Sequence, residues 1–348
     1  MKWENTYISG LGSWVPESHS AARAVADGLY DQELLDADGF EGAAVEPQLV
    51  APEMAVEAAR RALRGASVDP GSVDLVFHSW IWFQGVDMWP PASYIAAHAA
   101  HPSARAFDLQ QQCNAAVGGL ELAASLLPTV DGSILLTAAD RFTGDQIDRW
   151  RTEPNVVYGD GAGAVVLTRT PGLLRVVSSH TEAANELEAV VRGPVFAEGP
   201  TAELISIGDR FEHFLSTGGM REAAGRLISA VTTSVRRALE DADASLEDMA
   251  RVVIPAVGRS KLDWQLQSLI PVELAKTNWR FAAAMGHLGA ADQFVGLERM
   301  VAEGGLEIGD RVLVVGGGAG MTCTSLVLEY LGGSAAEDAE ERVAVAAV

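Results

Sequence analysis

The stretch "ARRALRGASVDPGSVDLVFHSW" at residues 59–80 is echoed in pattern by "VRRALEDADASLEDMARVVIPAV" at residues 235–257. Each copy is typical of an amphipathic helix, an Asp-containing loop and a β-branched strand. Arg236 follows Arg60 by about half of the 348-residue chain. A repeat at that spacing predicts two duplicated halves.

A second echo lies at nearly the same spacing. "LQQQCNAAVGGLELAASLL" (109–127) and "AAMGHLGAADQFVGLERMV" (283–301) are both small-residue turns followed by a helix. Cys113 lies at the first turn and His287 at the second. The small side chains favour close packing in the interior, so each half is predicted to bring one helix N-terminus toward the centre.

A third echo pairs the apolar strands "SILLTAAD" (133–140) and "RVLVVGGG" (311–318), which follow those helices. Duplicated units with short apolar strands predict a layered α/β fold whose sheets are covered on both faces. The domain prediction is 1–172 for an N-terminal half with the nucleophile cysteine, 173–224 for a variable connecting and substrate-recognition region, 225–331 for a C-terminal half with a histidine and an aspartate, and 332–348 for a tail.

The composition excludes several functional classes. Apolar residues make up 48% of the chain, enough for a sizeable core, and the net charge of −22 argues against binding of nucleic acid or of an anionic membrane surface. No apolar run reaches the roughly 18 residues that a membrane span needs. Two cysteines support neither a disulfide framework nor a four-ligand zinc site, and no metal is predicted. The first residues lack signal-peptide features, so we expect a cytoplasmic protein.

Cys113 directly precedes the first of the predicted buried helices. Unpaired backbone N–H groups and the positive end of the helix dipole favour a thiolate at such a position. Cysteine is otherwise most often a small buried side chain, and we assign that role to Cys323 in the strand-like "MTCTSLVL". Cys113 is therefore predicted to be a nucleophile.

Three segments resemble a known family. "AFDLQQQCNAAVGGLELA" (106–123) looks like the nucleophile segment of the class III β-ketoacyl synthases of the thiolase fold, "VVYGDGAGAVVL" (156–167) is close to their glycine signature, and "GGGAG" (316–320) matches their closing glycines. The resemblance covers nearly the whole chain outside the tail. It implies a thiolase-like α/β fold in which two duplicated halves form a five-layered α-β-α-β-α core.

Two catalytic positions depart from that family. Its condensing members carry a histidine in a "PHQAN"-like segment and an asparagine in a "GNTSAAS"-like segment, which stabilise the charge that develops as a malonyl unit loses carbon dioxide. Here "IPAVGRS" (254–260) has Ala256 at the histidine position, and "GHLGAAD" (286–292) has His287 at the asparagine position. Because alanine has no side-chain donor, the departure argues against decarboxylative carbon–carbon bond formation.

His287 is predicted to be the base that takes a proton from the acyl acceptor, because imidazole titrates nearest neutrality. Asp292 follows five residues later. A carboxylate that accepts from one ring nitrogen would leave the other facing the thiol, as in the triads of hydrolases and transferases. The alternative for Asp292 is a first-turn acid that complements the dipole of the next helix, and the sequence leaves both open.

A Cys, His and Asp set resembles the subgroup of class III synthase relatives in antibiotic pathways that move acyl groups onto hydroxyls or select starter units. The resemblance implies that an acyl-CoA or acyl-carrier-protein thioester loads Cys113, with no further cofactor, and that a hydroxyl of a sugar or other natural-product scaffold accepts the acyl group. It also implies backbone oxyanion donors at Cys113 and Ala319. The substrate pocket would include Gly318 and Gly320.

Trp89, in "GVDMWPPASY" (85–94), stands where a bulky residue of the family crosses a homodimer interface to close the partner's acyl pocket. A tryptophan there implies a small acyl group, and anchoring of its own loop is the alternative. "DADGFEGAAV" (36–45) replaces the "RTGI"-like stretch of members that use coenzyme A, so a carrier-protein donor is an option. An acidic carrier would need a basic patch. The candidates for it are Arg226, Arg236, Arg237, Arg259 and Lys261.

Residues 181–224 lie between the halves without a place in the repeat, and they are the expected site of acceptor recognition. Three hypotheses follow from these observations. The first is an acyltransferase that forms an ester through acyl-Cys113. The second is a starter-unit ketosynthase of polyketide biosynthesis that makes a carbon–carbon bond with His287 in an altered role. The third is a silent partner that only positions a carrier protein, against which the retained Cys113 argues.

Overall fold

The protein is described by a computed structural model covering residues 1–332, apart from residues 195, 200, 202, 218 and 219 and the side chains of residues 220–222. The tail predicted from 332 to 348 lies outside the described residues except for Gly332. Among the helices described, none has both the length and the apolar character needed to cross a membrane.

The β-strands of the described chain run in sequence order as follows. They are β1 Tyr7–Trp14, β2 Ser18–Ser20, β3 Gly42–Ala44, β4 Val73–Ser79, β5 Arg105–Leu109, β6 Ser133–Asp140, β7 Gly161–Thr168, β8 Leu174–Ala183, β9 Met249–Val253, β10 Arg311–Gly318 and β11 Thr322–Tyr330.

The α-helices alternate with these strands. They are α1 Ala21–Ala26, α2 Gln32–Asp38, α3 Ala51–Gly65, α4 Pro91–Ala99, α5 Ala115–Leu126, α6 Ala189–Arg192, α7 Ile207–Ser216, α8 Met220–Asp241, α9 Arg259–Ser268, α10 Trp279–Met285 and α11 Asp292–Ala302.

The large sheet of the described chain has the order β5-β4-β6-β7-β1-β8-β11-β10-β9. Its two parts join only through Tyr7 opposite Arg175 and Ile8 opposite Leu174. In the first part β4 runs parallel to β6, and β7 is antiparallel to both β6 and β1. In the second, β9 runs parallel to β10, and β11 is antiparallel to both β10 and β8. The predicted duplication is therefore present in four strands of each part, and β5, which pairs with β4, has no counterpart among the described strands of the second part.

Helices separate and cover the two half-sheets. Helices α5 and α11 lie between them: α5 contacts β6 and β10, and α11 contacts β1 and β10. Helices α3 and α4 cover the outer face of the first half-sheet, and α8 covers that of the second. The predicted mixed α/β fold with five layers is confirmed.

The central layer supplies much of the core. Val117 and Leu120 of α5 and Phe294 and Leu297 of α11 are almost fully buried between the half-sheets. Burying such a side chain contributes roughly 1.5–3 kcal/mol to folding. Every residue of β6 and β7 is buried, as expected where a sheet is covered on both faces. This packing holds the N-terminal ends of α5 and α11 in fixed positions relative to each other.

The segment predicted to connect the halves, 173–224, begins with a strand of the second half-sheet. Strand β8 pairs along its length with β11 and occupies the position that β1 has in the first half. The residues of β8 alternate too weakly for the sequence to distinguish this strand from a loop. The part outside the repeat therefore starts after Ala183 and contains α6 and α7.

Candidate active site

Cys113 lies in the turn between β5 and α5. The turn closes through hydrogen bonds from Asn114 N to Gln111 O at 3.2 Å and from Ala115 N to Gln112 O at 3.0 Å, with Gln112 in the left-handed region at φ +50°. Helix α5 begins at Ala115, so Cys113 lies two residues before the first helical residue. Its thiol is half-exposed and reaches the space between the two halves.

His287 lies in a turn bounded by two glycines with positive φ, Gly286 at +75° and Gly289 at +62°. Its backbone pairs with the segment that leads into β7: His287 N donates to Val157 O at 2.7 Å, and Gly159 N donates to His287 O at 2.9 Å. A side chain on Gly286 would place its Cβ 2.6 Å from Val157 O, so this close pairing requires glycine. Backbone hydrogen bonds thus hold His287 in place, and the residue is 3% exposed.

The thiol, the imidazole and a carboxylate form one hydrogen-bonded chain. Cys113 Sγ lies 3.0 Å from His287 Nε2, and His287 Nδ1 is hydrogen-bonded to Asp292 Oδ2. The sequence had left open whether Asp292 turns back toward His287. Asp292 does turn back, because residues 289–291 form a single 3₁₀ turn. This turn places Asp292 at the start of α11, with its carboxylate next to Nδ1 of His287.

Both oxygens of Asp292 also accept backbone hydrogen bonds. Leu288 N donates to Oδ1 at 2.6 Å, and Ala256 N donates to Oδ2 at 2.8 Å. These bonds fix the carboxylate, and the carboxylate fixes a proton on Nδ1 so that Nε2 faces the sulfur. The arrangement can deliver or remove a proton at the thiol or at a group bound beside it.

The charges around His287 favour its protonated form. Burial works against a charged ring, but the negative charges of Asp292 and Cys113 and their hydrogen bonds outweigh it, so the pKa of His287 lies well above its ordinary value. An imidazolium beside the sulfur is the partner that a thiolate needs. A protonated ring can therefore serve as a charged hydrogen-bond partner of Cys113 Sγ, which lies 3.0 Å from Nε2.

Glycines bring the end of β10 against the Cys113 turn. A Cβ on Gly318 would lie 2.2 Å from Gln111 O, and one on Gly320 would lie 3.0 Å from Gln111 Nε2. Asn114 ties the same elements together, since its Nδ2 donates to Thr324 Oγ1 at 3.1 Å and its Oδ1 accepts from Thr324 N at 3.2 Å. Ala319 thus lies in a segment adjacent to Cys113, where the sequence predicts the second oxyanion donor.

The sequence pattern did not indicate Asp140, at the end of β6, as part of the site. It is fully buried and accepts from Ile81 N at 2.8 Å, Trp82 N at 2.7 Å and Ala290 N at 3.0 Å. Burial raises its pKa to about 7, against the opposing effect of these N–H donors. Through these hydrogen bonds, the carboxyl of Asp140 ties the turn that contains His287 to the loop that follows β4. The only sequence signal was a charged residue at the end of an apolar strand.

The sequence pattern also did not indicate that Tyr158 and Glu153 lie at the site. The ring of Tyr158 lies 5.6 Å from that of His287 between centroids, and its hydroxyl donates to Glu153 Oε2 at 2.5 Å. Tyr158 lies within the glycine signature of residues 156–167, which was the available signal, but nothing in the local sequence indicated its partner.

Family models match both halves of the chain. A model described as 3-oxoacyl-[acyl-carrier-protein (ACP)] synthase III matches residues 107–184, and its C-terminal counterpart matches residues 239–330. The solved structure of ChlB3, described as an acyltransferase, is 32% identical with a TM-score of 0.91, over 95% of this chain and 99% of that one. The chain belongs to the 3-oxoacyl-[acyl-carrier-protein] synthase III family. The predicted resemblance is confirmed.

Other members of the synthase III family match along their whole length. A β-ketoacyl-[acyl-carrier-protein] synthase III of Acidiphilium cryptum is 27% identical over 341 residues, 94% of this chain and 100% of that protein. The solved 3-oxoacyl-[acyl-carrier-protein] synthase III of Aquifex aeolicus is 22% identical with a TM-score of 0.77, over 93% of this chain and 100% of that one. The latter shows a shared fold.

Trp89, which the synthase III resemblance assigned to the acyl pocket, is half-buried and packs edge-on against Tyr94 at 5.6 Å between ring centroids. Within one chain it therefore anchors its own loop to α4, and its role toward a partner's pocket stays a prediction.

The predicted basic patch is largely compensated by acids. Arg226 pairs with Glu186, Arg236 and Arg237 pair with Glu240, and Arg259 pairs with Asp263. These exposed pairs reduce the positive field that a synthase III carrier protein would meet.

Proposed function

We propose that this protein is an acyltransferase. It moves a small acyl group from an acyl-CoA or acyl-carrier-protein thioester, through acyl-Cys113, to a hydroxyl of a sugar or other natural-product scaffold, without decarboxylative condensation. The observation that carries the proposal is the hydrogen-bonded chain from Cys113 through His287 to Asp292. The likeness to ChlB3, itself described as an acyltransferase, supports it.

The first step loads the enzyme. The Cys113 thiolate attacks the thioester carbonyl carbon, a new carbon–sulfur bond forms, and the bond to the donor sulfur breaks. The departing donor thiolate takes the proton from His287 Nε2. The backbone N–H groups of Cys113 and Ala319 are the proposed donors to the carbonyl oxygen as it becomes negative.

The second step unloads the enzyme. The acceptor hydroxyl gives its proton to His287 Nε2 while its oxygen attacks the acyl carbon. The new carbon–oxygen bond forms, the bond to Cys113 breaks, and the thiolate–imidazolium pair is restored. Because the donor thiolate took the Nε2 proton in the first step, the ring is a neutral base when the acceptor arrives.

The position of Ala256 disfavours condensation. In condensing relatives this segment is expected to supply a histidine donor, whereas here Ala256 is 2% exposed and its N–H is used by Asp292. No side-chain donor from that position is available to stabilise the enolate that loss of carbon dioxide would generate.

We also propose that the protein acts as a homodimer within an antibiotic or polyketide pathway. Strand β5 is an edge of the large sheet, and Phe107 on it is 54% exposed. Leu122 and Leu126 on α5 add exposed apolar surface. Exposed edges with apolar side chains favour pairing with another strand, and a second copy of the same edge is the proposed occupant.

Intact-mass analysis tests the proposed chemistry. After exposure to an acetyl or malonyl thioester of N-acetylcysteamine, the parent and Cys323→Ala should gain one acyl mass, and Cys113→Ala should gain none. Cys323 is the matched control because burial raises its pKa to about 12 and leaves it an unreactive thiol. Absence of an adduct on the parent would discard the acyltransferase. Carbon dioxide release in step with product would favour the starter-unit ketosynthase instead.

A further inference from the structure

Tyr158 packs beside the proposed base. Its backbone is part of the segment that pairs with His287, and its ring faces the imidazole at 5.6 Å between centroids. Phe142 also packs against the Tyr158 ring, at 4.3 Å between centroids. These two ring contacts and the backbone pairing position the Tyr158 hydroxyl relative to His287.

The hydroxyl of Tyr158 is paired with a carboxylate that is itself accessible. It donates to Glu153 Oε2 at 2.5 Å, while Glu153 is half-buried and its Oε1 has no partner within the described part of the chain. Burial and the negative charges of Glu153 and Cys113 raise the pKa of Tyr158, so the hydroxyl keeps its proton and donates it to Glu153. Tyr158 is 7% exposed and holds Glu153 in place, and the second carboxylate oxygen of Glu153 is left to accept hydrogen bonds from a ligand.

The loop that carries Glu153 also supports the segment outside the repeat. Ile207 N, at the start of α7, donates to Thr152 O at 2.8 Å, and Ile205 N donates to Gln146 O at 2.9 Å. A Cβ on Gly208 would lie 3.3 Å from Pro154 Cγ, so α7 packs directly on this loop. Glu153 therefore stands between His287 and the segment in which acceptor recognition is expected.

We propose that Tyr158 and Glu153 form the subsite that binds the acyl acceptor, and that they select a polyhydroxylated, sugar-like acceptor that is neutral or cationic. The inference rests on the proposed acyltransferase and names its acceptor class. The pair offers acceptors to neighbouring hydroxyl groups, and the carboxylate attracts an ammonium and repels an acid. Neither residue takes part in a bond-making step.

The test uses the full chain loaded with acetyl at Cys113 from acetyl-N-acetylcysteamine. Loss of the acetyl mass is followed against increasing methyl glucoside, the methyl glycoside of glucosamine, or the methyl glycoside of glucuronic acid. We expect the neutral and cationic sugars to accelerate deacylation and the anionic sugar to do so least. Glu153→Gln should raise the half-saturating sugar concentration by about tenfold or more, because a hydrogen bond to a charged group is lost. It should also erase the preference for the cationic over the anionic sugar.

Tyr158→Phe should raise the half-saturating concentration roughly three- to tenfold, as expected for one neutral hydrogen bond. Deacylation is followed only on fully loaded protein, so that any change in the loading rate of either variant does not enter the comparison. The matched controls are Tyr330→Phe, at the far end of β11, and Glu240→Gln, on α8, and both should behave as the parent.

The possible failures are distinguishable. If the parent does not load, the acyltransferase proposal falls and the subsite with it. If the parent loads but no sugar accelerates deacylation beyond hydrolysis, or if the Glu153 and Tyr158 variants saturate like the parent, the acyltransferase stands and the subsite is rejected.

Discussion

The backbone N–H of Ala256 donates to Asp292 Oδ2 at 2.8 Å, so the segment that carries a histidine in condensing relatives here holds the carboxylate behind His287. In place of a donor to a malonyl unit, this position supports, through Asp292, the proposed base of acyl transfer. The exchange is consistent with a site that moves acyl groups without breaking a carbon–carbon bond.

Replacing Asp292 tests that support. Asp292→Asn should slow acetyl transfer by about 10²–10⁴-fold, because an amide leaves the imidazole without a charged partner and permits the wrong tautomer. Single-turnover deacylation measures the effect. Asp243→Asn is the control, since Asp243 is exposed, pairs with Lys2 and lies away from the site. A transfer rate within twofold of the parent in Asp292→Asn would remove Asp292 from the mechanism.

Replacing His287 separates loading from transfer. His287→Ala should still accept acyl groups on Cys113 but transfer them about 10²–10⁴-fold more slowly, the contribution expected of a general base. Time-resolved intact mass distinguishes the two steps, since the acyl-enzyme should accumulate in this variant. Parent-like turnover by His287→Ala would show that another group takes the acceptor's proton.

Gly289 tests how tightly the His287 turn is held. It has φ +62°, and a Cβ there would lie 2.2 Å from Asp140 Oδ2. Gly289→Ala should cost more than about 2 kcal/mol of unfolding free energy, since backbone strain and a clash add, and should slow acyl transfer. Gly28 is the matched control because it has φ +76° with no atom within 4 Å of its Cβ position.

Gly28→Ala should therefore cost only about 1 kcal/mol, the penalty of the left-handed backbone alone. Denaturant unfolding of both variants gives the comparison. Equal losses would mean that Asp140 can move away from the turn at little cost.

Asp140 predicts a particular pH dependence of stability. Its folded pKa of about 7 exceeds the 3.8 of an aspartate in water, so between these values the folded chain holds a proton that the unfolded chain has released. The free energy of unfolding should therefore fall as pH rises, by up to about 1.4 kcal/mol per pH unit from this group. Asp140→Asn cannot titrate and should lack that component.

Urea unfolding of the parent and Asp140→Asn between pH 5 and 6.5 checks the sign. The difference in their unfolding free energies should shift in favour of the variant as pH rises. A difference that is constant with pH would show that Asp140 is ionised in the folded protein throughout this range. Circular dichroism at each pH provides the control that both proteins begin folded.

Local pattern was sufficient for the elements and their duplication. The helices and strands of the two repeats follow from apolar periodicity, and small residues before α5 and α11 predicted their burial between the sheets. Local pattern was insufficient for β8, because its residues alternate too weakly to distinguish a strand from a loop. It was also insufficient for the pairing of Tyr158 with Glu153, which depends on the path of a turn and not on apolar periodicity.

Residue pattern alone indicates two α/β halves, places Cys113 and His287 in matching turns, and shows that Ala256 has no side-chain donor. Tertiary packing sets the sulfur and Nε2 3.0 Å apart, brings Asp292 back to Nδ1 of His287, and places Tyr158 between His287 and Glu153. The physical reason is that periodicity reports which face of an element is buried. The distance between side chains on different elements depends instead on how α5, α11 and the two half-sheets pack around each other.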